Sequence, residues 1–354
     1  MNYVERQRRV QAAMASEGLD GLVVVSAANL RYLTGFAGEG LLVLRDSACL
    51  ITDGRFRLEG ERAEAELVIA QNGVWAGLAE LLAACKLRRL GFEADHTTVA
   101  CADRIRAALG EVELVGVTGI VEGLRSCKDA EELAVLRRAV VVADAVLTDF
   151  LASDFEGMTE RRAALAIHGA MLDLGAEGPA FETIVAFGPG AAEPHHANTD
   201  TVISGPGVLL VDLGATVEGY RSDLTRTVFL GPPDETFRRL YSAVWEAQQR
   251  AIAAIRAGTS AREADEAARS FLAAQGLADY FSHGLGHGVG LEIHERPTLG
   301  PTRDEVLQAG QVVTVEPGLY LRGWGGVRIE DVVLVRDDGA EVLSAAPKLP
   351  PDAV

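Results

Sequence analysis

The chain has 354 residues, with 33 basic against 51 acidic side chains and a formal charge of −18. A surface this acidic repels phosphate backbones and argues against a nucleic-acid partner, and no apolar run reaches the ~18–20 residues a membrane helix needs. At 48% hydrophobic and 24% charged residues, the composition is that of an ordinary globular protein long enough for two domains.

The start, MNYVERQRRVQAAMASEGLDGL, has the spacing of an amphipathic helix, not of a secretory signal, and a cytoplasmic location follows as the expectation. LDGLVVVS, GLLVLRD and SACLITDG then read as short strands, NGVWAGLAELLAAC and TTVACADRIRAALG as helices, and VELVGVT as a further strand. Residues 1–122 are therefore expected to form an N-terminal mixed α/β domain. Beyond it the texture changes. Ser126 or Asp129 can cap a long helix with Glu131 and Glu132 in its first turn, and residues 123–354 are read as a second domain. Cys49, Cys85, Cys101 and Cys127 are scattered, without a C-x-x-C, and read as buried reduced thiols.

The second domain holds a faint repeat. Gly157 and Gly175 bracket one helical stretch, Gly258 and Gly276 another, and the two pairs are offset by 101 residues. After each helix comes a histidine-bearing loop, then a hairpin.

Both hairpins carry paired acids in apolar strands. In VLLVDLGATVEGYRSDLTRTVFL, Asp212 and Asp223 are symmetric about the Val217–Glu218 bond, which places them opposite or nearly opposite, with Cβ atoms ~4.5–5.5 Å apart. In VVTVEPGLYLRGWGGVRIEDVVLV, Glu316 and Glu330 are symmetric about Gly323. Buried carboxylates at such spacing need counter-charges, and four of them converging make a trap for divalent cations. Asp331 points to the other strand face and reads as structural.

Of seven histidines, five lie between positions 195 and 294. In SHGLGHGVGLEIHERP the glycines exclude a regular helix and let backbone and imidazole approach a ligand closely. His287 is taken as the nitrogen ligand of the metal, His294 as a nearby donor or acid, and His283 as either support or a substrate-binding group. Of His195 and His196, one faces the site. His96 and His168 read as surface residues.

These motifs resemble the pita-bread peptidases that act on Xaa-Pro bonds, the prolidases and Xaa-Pro aminopeptidases of the M24 metallopeptidases. The resemblance rests on VDLGATVEGYRSDLTRTVF, SHGLGHGVGLEIHERP, VEPGLYL and GGVRIED, and extends to NLRYLTGF and TDGRF. It implies an N-terminal α/β domain followed by a pseudo-twofold pita-bread α/β domain, and a homodimer. It also implies a dinuclear centre. Asp212 would bind one metal, His287 and Glu316 the other, and Asp223 and Glu330 would bridge. Among Mn²⁺, Co²⁺ and Zn²⁺, one nitrogen among carboxylate oxygens suits Mn²⁺ best. A bridging hydroxide would attack the carbonyl before proline, Glu316 would carry the proton to the leaving nitrogen, and His195 or His294 would help stabilise the oxyanion.

The expected substrate is a small peptide with proline in second position, most simply a dipeptide. The alternatives are an aminopeptidase acting on longer peptides and a metal-free binding module, the latter disfavoured because all five ligand positions are filled. For a dipeptide's carboxylate the candidate cations are Arg322, Arg328, Arg296, Arg45, Arg55 and Arg57. Arg328, two residues before Glu330 and on the same strand face, is preferred. The chain departs from the family pattern at Phe187, Gly190, Thr298 and Arg322, none of them an expected ligand.

Overall fold

A computed structural model describes residues 1–109 and 111–350, and the chain divides into two compact units, Met1–Arg125 and the residues from Ser126 onward. The first unit contains helices α1 (Tyr3–Ser16), α2 (Ala27–Thr34), α3 (Arg57–Gly60), α4 (Val74–Ala83), α5 (Val99–Leu109) and all but the last residue of α6 (Ile120–Ser126). The expected boundary at Glu122 falls within α6. The strands are β1 (Gly21–Val24), β2 (Gly40–Leu44), β3 (Ala48–Thr52), β4 (Glu66–Ile69), β5 (Arg89–Glu93) and β6 (Glu113–Val117). They join in the order β4-β3-β2-β1-β5-β6. Strand β1 is buried on both faces, as its unbroken apolar run requires. Val23, Val43, Ile51 and Leu90 of the sheet form a core with Leu78 and Leu82 of α4 and Ile105 of α5.

Two strands escape a reading by apolar pattern. Strand β4 is partly exposed and begins on Glu66. Strand β5, RLGFE, is charged at both ends and interrupted by Gly91, where a Cβ would stand 2.8 Å from the Leu19 side chain. His96 is not a surface residue. It is half-buried, with Nε2 2.8 Å from Glu122 Oε1, and that carboxylate also accepts from Asn29 Nδ2.

The second unit opens with α7 (Ala130–Ala152), capped by Asp129 in a reciprocal box with Glu132. It continues through α8 (Glu160–Asp173), β7 (Gly178–Pro179), β8 (Ile184–Phe187), β9 (Gly207–Leu213), β10 (Ala215–Val217), β11 (Tyr220–Arg221) and β12 (Leu224–Leu230). The same order of parts then recurs: α9 (Glu235–Ala254), α10 (Ala261–Ala274), β13 (Gly286–Gly288), β14 (Glu295–Leu299), β15 (Val312–Val315), β16 (Gly318–Leu321), β17 (Gly325–Arg328), β18 (Asp331–Val335) and β19 (Ala340–Val342). Helices α8 and α10 are each 14 residues long. Their caps, Thr159 and Ser260, each make an isolated bridge to a later segment, at Val202 and Val306.

The main sheets run β12-β9-β8 and β14-β13-β15-β18-β19. Helices α9 and α10 cover strands through Phe237, Leu240, Val244 and Leu272, which pack with Val313, Val315, Leu319, Val327 and Val333. Each such side chain, fully buried, contributes about 1.5–3 kcal/mol. Among the described residues no helix is long and apolar enough to cross a membrane.

Candidate metal centre

Turn chemistry sets which residues of the first hairpin meet. Glu218 and Gly219 both have positive φ, 45° and 76°, the signature of a two-residue type I′ turn. The symmetry point therefore lies between Glu218 and Gly219, one bond later than the sequence reading placed it. Val217 pairs with Tyr220, and Asp212 pairs with Thr225, not with Asp223. Extending that register puts Asp223 across from Gly214, so the two aspartates are diagonal neighbours on one face.

The second hairpin keeps the expected register. Leu321 pairs with Gly325 and Val315 with Asp331, which sets Glu316 opposite Glu330 at the break between the two ladders. Freed from its own ladder, Glu330 donates its backbone N–H to Thr225 O of the first hairpin, at 3.1 Å. Thr225 Oγ1 donates back to Glu330 Oε2 at 2.7 Å, and Thr227 Oγ1 donates to Arg328 O at 2.9 Å. The acids of both hairpins thus meet along one seam.

The glycines around His287 serve a different purpose from the expected one. They alternate along β13 and its flanks because neighbouring backbone passes beside them. A Cβ on Gly286 would stand 2.1 Å from Thr314 O. Leu285, His287 and Val289 occupy the other parity. The His287 ring has Nδ1 3.1 Å from Gly288 O, which makes Nδ1 the donor and leaves the Nε2 lone pair facing outward. Nε2 lies 3.5 Å from Asp223 Oδ2 and 3.4 Å from Glu316 Oε1.

Donor atoms of Asp223, His287 and Glu330 all lie within 4.8 Å of one another. Burial first, and then neighbouring carboxylates (Glu330, Asp212 and Glu316 for Asp223, Glu316 and Asp212 for Glu330), push both carboxyls well above the usual range. Burial also pushes Glu316 up to about 7 and the His287 imidazole down to about 4. Asp212 Oδ1 is buried without a hydrogen-bond partner. A stranded carboxylate oxygen beside three acids and an imidazole lone pair is what a divalent cation would satisfy, so the donor set fits such an ion.

Arg328 was expected to face a substrate carboxylate. Its guanidinium donates to Asp212 Oδ2 at 2.6 Å, Thr225 Oγ1 at 3.0 Å, Tyr320 Oη at 3.0 Å and Pro194 O at 3.3 Å. Tyr320 Oη lies 2.8 Å from His283 Nε2, while His283 Nδ1 lies 2.7 Å from Gly284 O. That carbonyl makes Nδ1 the donor, so Tyr320 donates to Nε2, and an unbroken chain runs from His283 to Asp212. Burial holds His283 down at about 4 and Tyr320 up at about 12.

His195 is exposed on the cleft, whereas His196 is buried, with Nε2 2.9 Å from Glu160 Oε2. His294 is also exposed, its ring edge-on to His287 with centroids 4.2 Å apart. Asp331 is fully buried on the opposite strand face and accepts from Arg226, Gln248 and Lys348. The five acidic and imidazole groups, with His195, His283, His294 and Arg328, line one cleft of about 570 Å³. Tyr320, Thr225 and Thr314 were not singled out from sequence, because nothing in an ordinary strand residue marks it as a partner of a site two hairpins share.

Residues 134–337 match the model of metallopeptidase family M24, and residues 6–127 match that of the Creatinase/Prolidase N-terminal domain. The chain is 33% identical to the Xaa-Pro dipeptidase of Pyrococcus furiosus, over 96% of this chain and 97% of that protein. The structure of an Xaa-Pro dipeptidase from Bacillus anthracis superposes with a TM-score of 0.94 at 35% identity, covering 98% and 99% of the two chains. That of an X-Pro aminopeptidase from Thermotoga maritima does so with a TM-score of 0.91 at 32% identity, covering 96% and 98%. The two-part α/β architecture is the one implied by the resemblance, with a pita-bread domain after the N-terminal domain. By its matched length, its relatives and its fold, the chain belongs to metallopeptidase family M24.

Proposed function

We propose that the protein hydrolyses the peptide bond before proline in Xaa-Pro dipeptides, using divalent metal ions. The observation that carries this reading is the meeting of four buried carboxylates and the Nε2 of His287 on one wall of a cleft. A volume of about 570 Å³ suits a ligand the size of a short peptide. Asp212, Asp223, His287, Glu316 and Glu330 would hold two ions. Bound divalent ions supply Lewis acidity and make a water molecule acidic enough to react near neutral pH.

The chain's own groups do the rest. Glu316, on the wall of the cleft beside His287, would take a proton and deliver it to the leaving imino nitrogen. His195 and His294, exposed on the cleft, would meet the substrate carbonyl as donors. Arg328 and Tyr320 hold Asp212 in place. Mn²⁺ as the preferred ion, a homodimer and a cytoplasmic location belong to the same reading, supported by the ligand chemistry and the family resemblance.

One observation favours a second reading, an Xaa-Pro aminopeptidase acting on longer peptides. Among the described residues lining the cleft Arg328 is the only arginine or lysine, and its donors are committed to Asp212, Thr225, Tyr320 and Pro194. A dipeptide's carboxylate would then find only imidazoles on this wall. Hydrolysis of Leu-Pro, Leu-Pro-Pro and Arg-Pro-Pro under identical Mn²⁺ loading separates the two. Leu-Pro is expected to be cleaved fastest, and faster tripeptide cleavage would assign the aminopeptidase. A protein that cleaves none of them and holds no stoichiometric metal is a binding module.

A further inference from the structure

An ion pair with no part in the chemistry above lies under the loop that carries His294. Lys128, just before α7, places Nζ 2.5 Å from Glu295 Oε1 and 3.2 Å from Ser126 O. The two side chains are 1% and 4% exposed. Withdrawing both charges from water is costly, and an apolar pair of similar volume is often as stable or more so. Stability alone is a poor reason for such a pair, so its location matters.

Glu295 follows His294 directly and begins β14. The ladder between β13 and β14 slips at this point, with His287 opposite Thr298 but Gly288 opposite Glu295. The intervening loop folds back over the Glu295 carboxylate. A Cβ on Gly290 would stand 2.5 Å from Glu295 Oε1, so Gly290 lies directly on that group. Gly290 is fixed in turn by its N–H to Glu292 O at 3.1 Å and by Arg221 N–H to its carbonyl at 2.8 Å. The carboxylate is thus the floor of the loop, and Lys128 fixes the floor. Above it the His294 ring stands edge-on to His287.

We propose that Lys128 and Glu295 are positioning residues that hold the Gly290–His294 loop in one place and thereby set the His294 ring against His287 and the substrate carbonyl. This rests on the reading that His294 touches substrate. A rigid ring in the right place matters because small displacements of a catalytic group cost up to about a hundredfold in rate.

The test compares Lys128→Met, Glu295→Gln, the apolar pair Lys128→Met/Glu295→Met, and His294→Ala, each loaded with Mn²⁺. Turnover and KM for Leu-Pro, bound Mn²⁺, thermal melting and hydrogen exchange of the loop are measured. Both single variants are expected to keep their Mn²⁺ and lose about tenfold or more in kcat with little change in KM. Exchange of the Gly290–His294 amides is expected to rise even before metal is added. The apolar pair should recover the melting temperature lost in Lys128→Met but not the turnover. Recovery of turnover together with melting would show that the pair only balances charge, and would overturn the proposal. So would single variants that melt lower at unchanged kcat, or that lose Mn²⁺ instead. If Lys128→Met does not fold, Glu295→Gln and the apolar pair decide. His294→Ala separates the two levels: unchanged turnover there would remove His294 from the chemistry, whereas its loss beside normal Lys128→Met and Glu295→Gln variants would sink the positioning role alone.

Discussion

In the first hairpin the aspartates are diagonal neighbours across a two-residue turn, and in the second the glutamates face each other across the Arg322–Trp324 loop. Each solution matches its side chains. The shorter aspartates come from strands whose ladder, Asp212 to Thr225, stays intact at the first acid. The longer glutamates sit where the ladder is interrupted, and the freed backbone of Glu330 bonds to the other hairpin at Thr225. A difference of one residue in turn length, which a symmetry argument from sequence missed, decides between facing and diagonal acids. Convergence survives because both arrangements keep the pair on one face.

The largest effect should come from removing an acid on which both hairpins depend. Asp223→Asn keeps the shape of a group surrounded by His287, Glu316 and Glu330 but removes its charge, and is expected to abolish detectable Leu-Pro hydrolysis while the protein stays folded. Full activity in that variant would mean the two hairpins do not share a centre. Next comes the arginine that ties one hairpin to the other. Arg328→Lys cannot reproduce a fork that reaches Asp212, Thr225, Tyr320 and Pro194 together. Affinity for Mn²⁺, measured by calorimetry, should fall by about 10–100-fold, as for other groups that orient metal ligands. Unchanged affinity combined with a higher KM for Leu-Pro would return Arg328 to the substrate.

A smaller effect concerns charge in the metal-free protein. Glu316 rises from 4.5 to about 7 through burial, and Asp223 and Glu330 are also pushed well above their usual range by burial and by neighbouring carboxylates. A folded carboxyl with a raised value holds its proton where the unfolded chain has lost it. Its contribution is therefore complete below about pH 4.5 and fades as pH climbs through about 7. Chelated protein should lose on the order of 1–3 kcal/mol in urea melts between pH 5 and pH 7.5, and Mn²⁺ should restore it. A metal-free protein equally stable at both values would mean that the acids are not crowded.

Much of this was legible from residues. Acids at matched positions in two apolar hairpins, and His287 between alternating glycines, pointed to a candidate cation site because hydrocarbon does not surround unpaired carboxylates without reason. The offset of 101 residues between the bracketing glycines announced the repeat of long helix, short helix and hairpin. What stayed hidden depends on distances across the chain. Arg328 beside Glu330 looked free for a substrate, since its partner Asp212 is 116 residues away. His96 looked exposed because Glu122, its partner, lies beyond the whole of α5. The alternation of Gly284, Gly286, Gly288 and Gly290 looked like room for a ligand. At the first three it is room for neighbouring backbone, and at Gly290 for the Glu295 carboxylate, a distinction local pattern does not carry.

The smallest expected effects test the turns themselves, through two glycines that differ in what surrounds them. Gly323 has φ of 82° and nothing within 4 Å of an added Cβ. Gly323→Ala should therefore cost only the left-handed backbone penalty, about 1–2 kcal/mol, with kcat and bound Mn²⁺ unchanged. Gly214, across from Asp223, is the opposite case: its φ is ordinary, but a Cβ would stand 2.0 Å from Ser222 O and 2.9 Å from the Phe181 ring. Relief requires the first hairpin to open just where Asp223 leaves the ladder. Gly214→Ala should cost about 3 kcal/mol or more and lower Mn²⁺ affinity as well. Equal losses in the two variants, with Mn²⁺ binding intact in both, would show that the tight first hairpin tolerates movement at its acids, and that diagonal and facing pairs differ in geometry without differing in consequence.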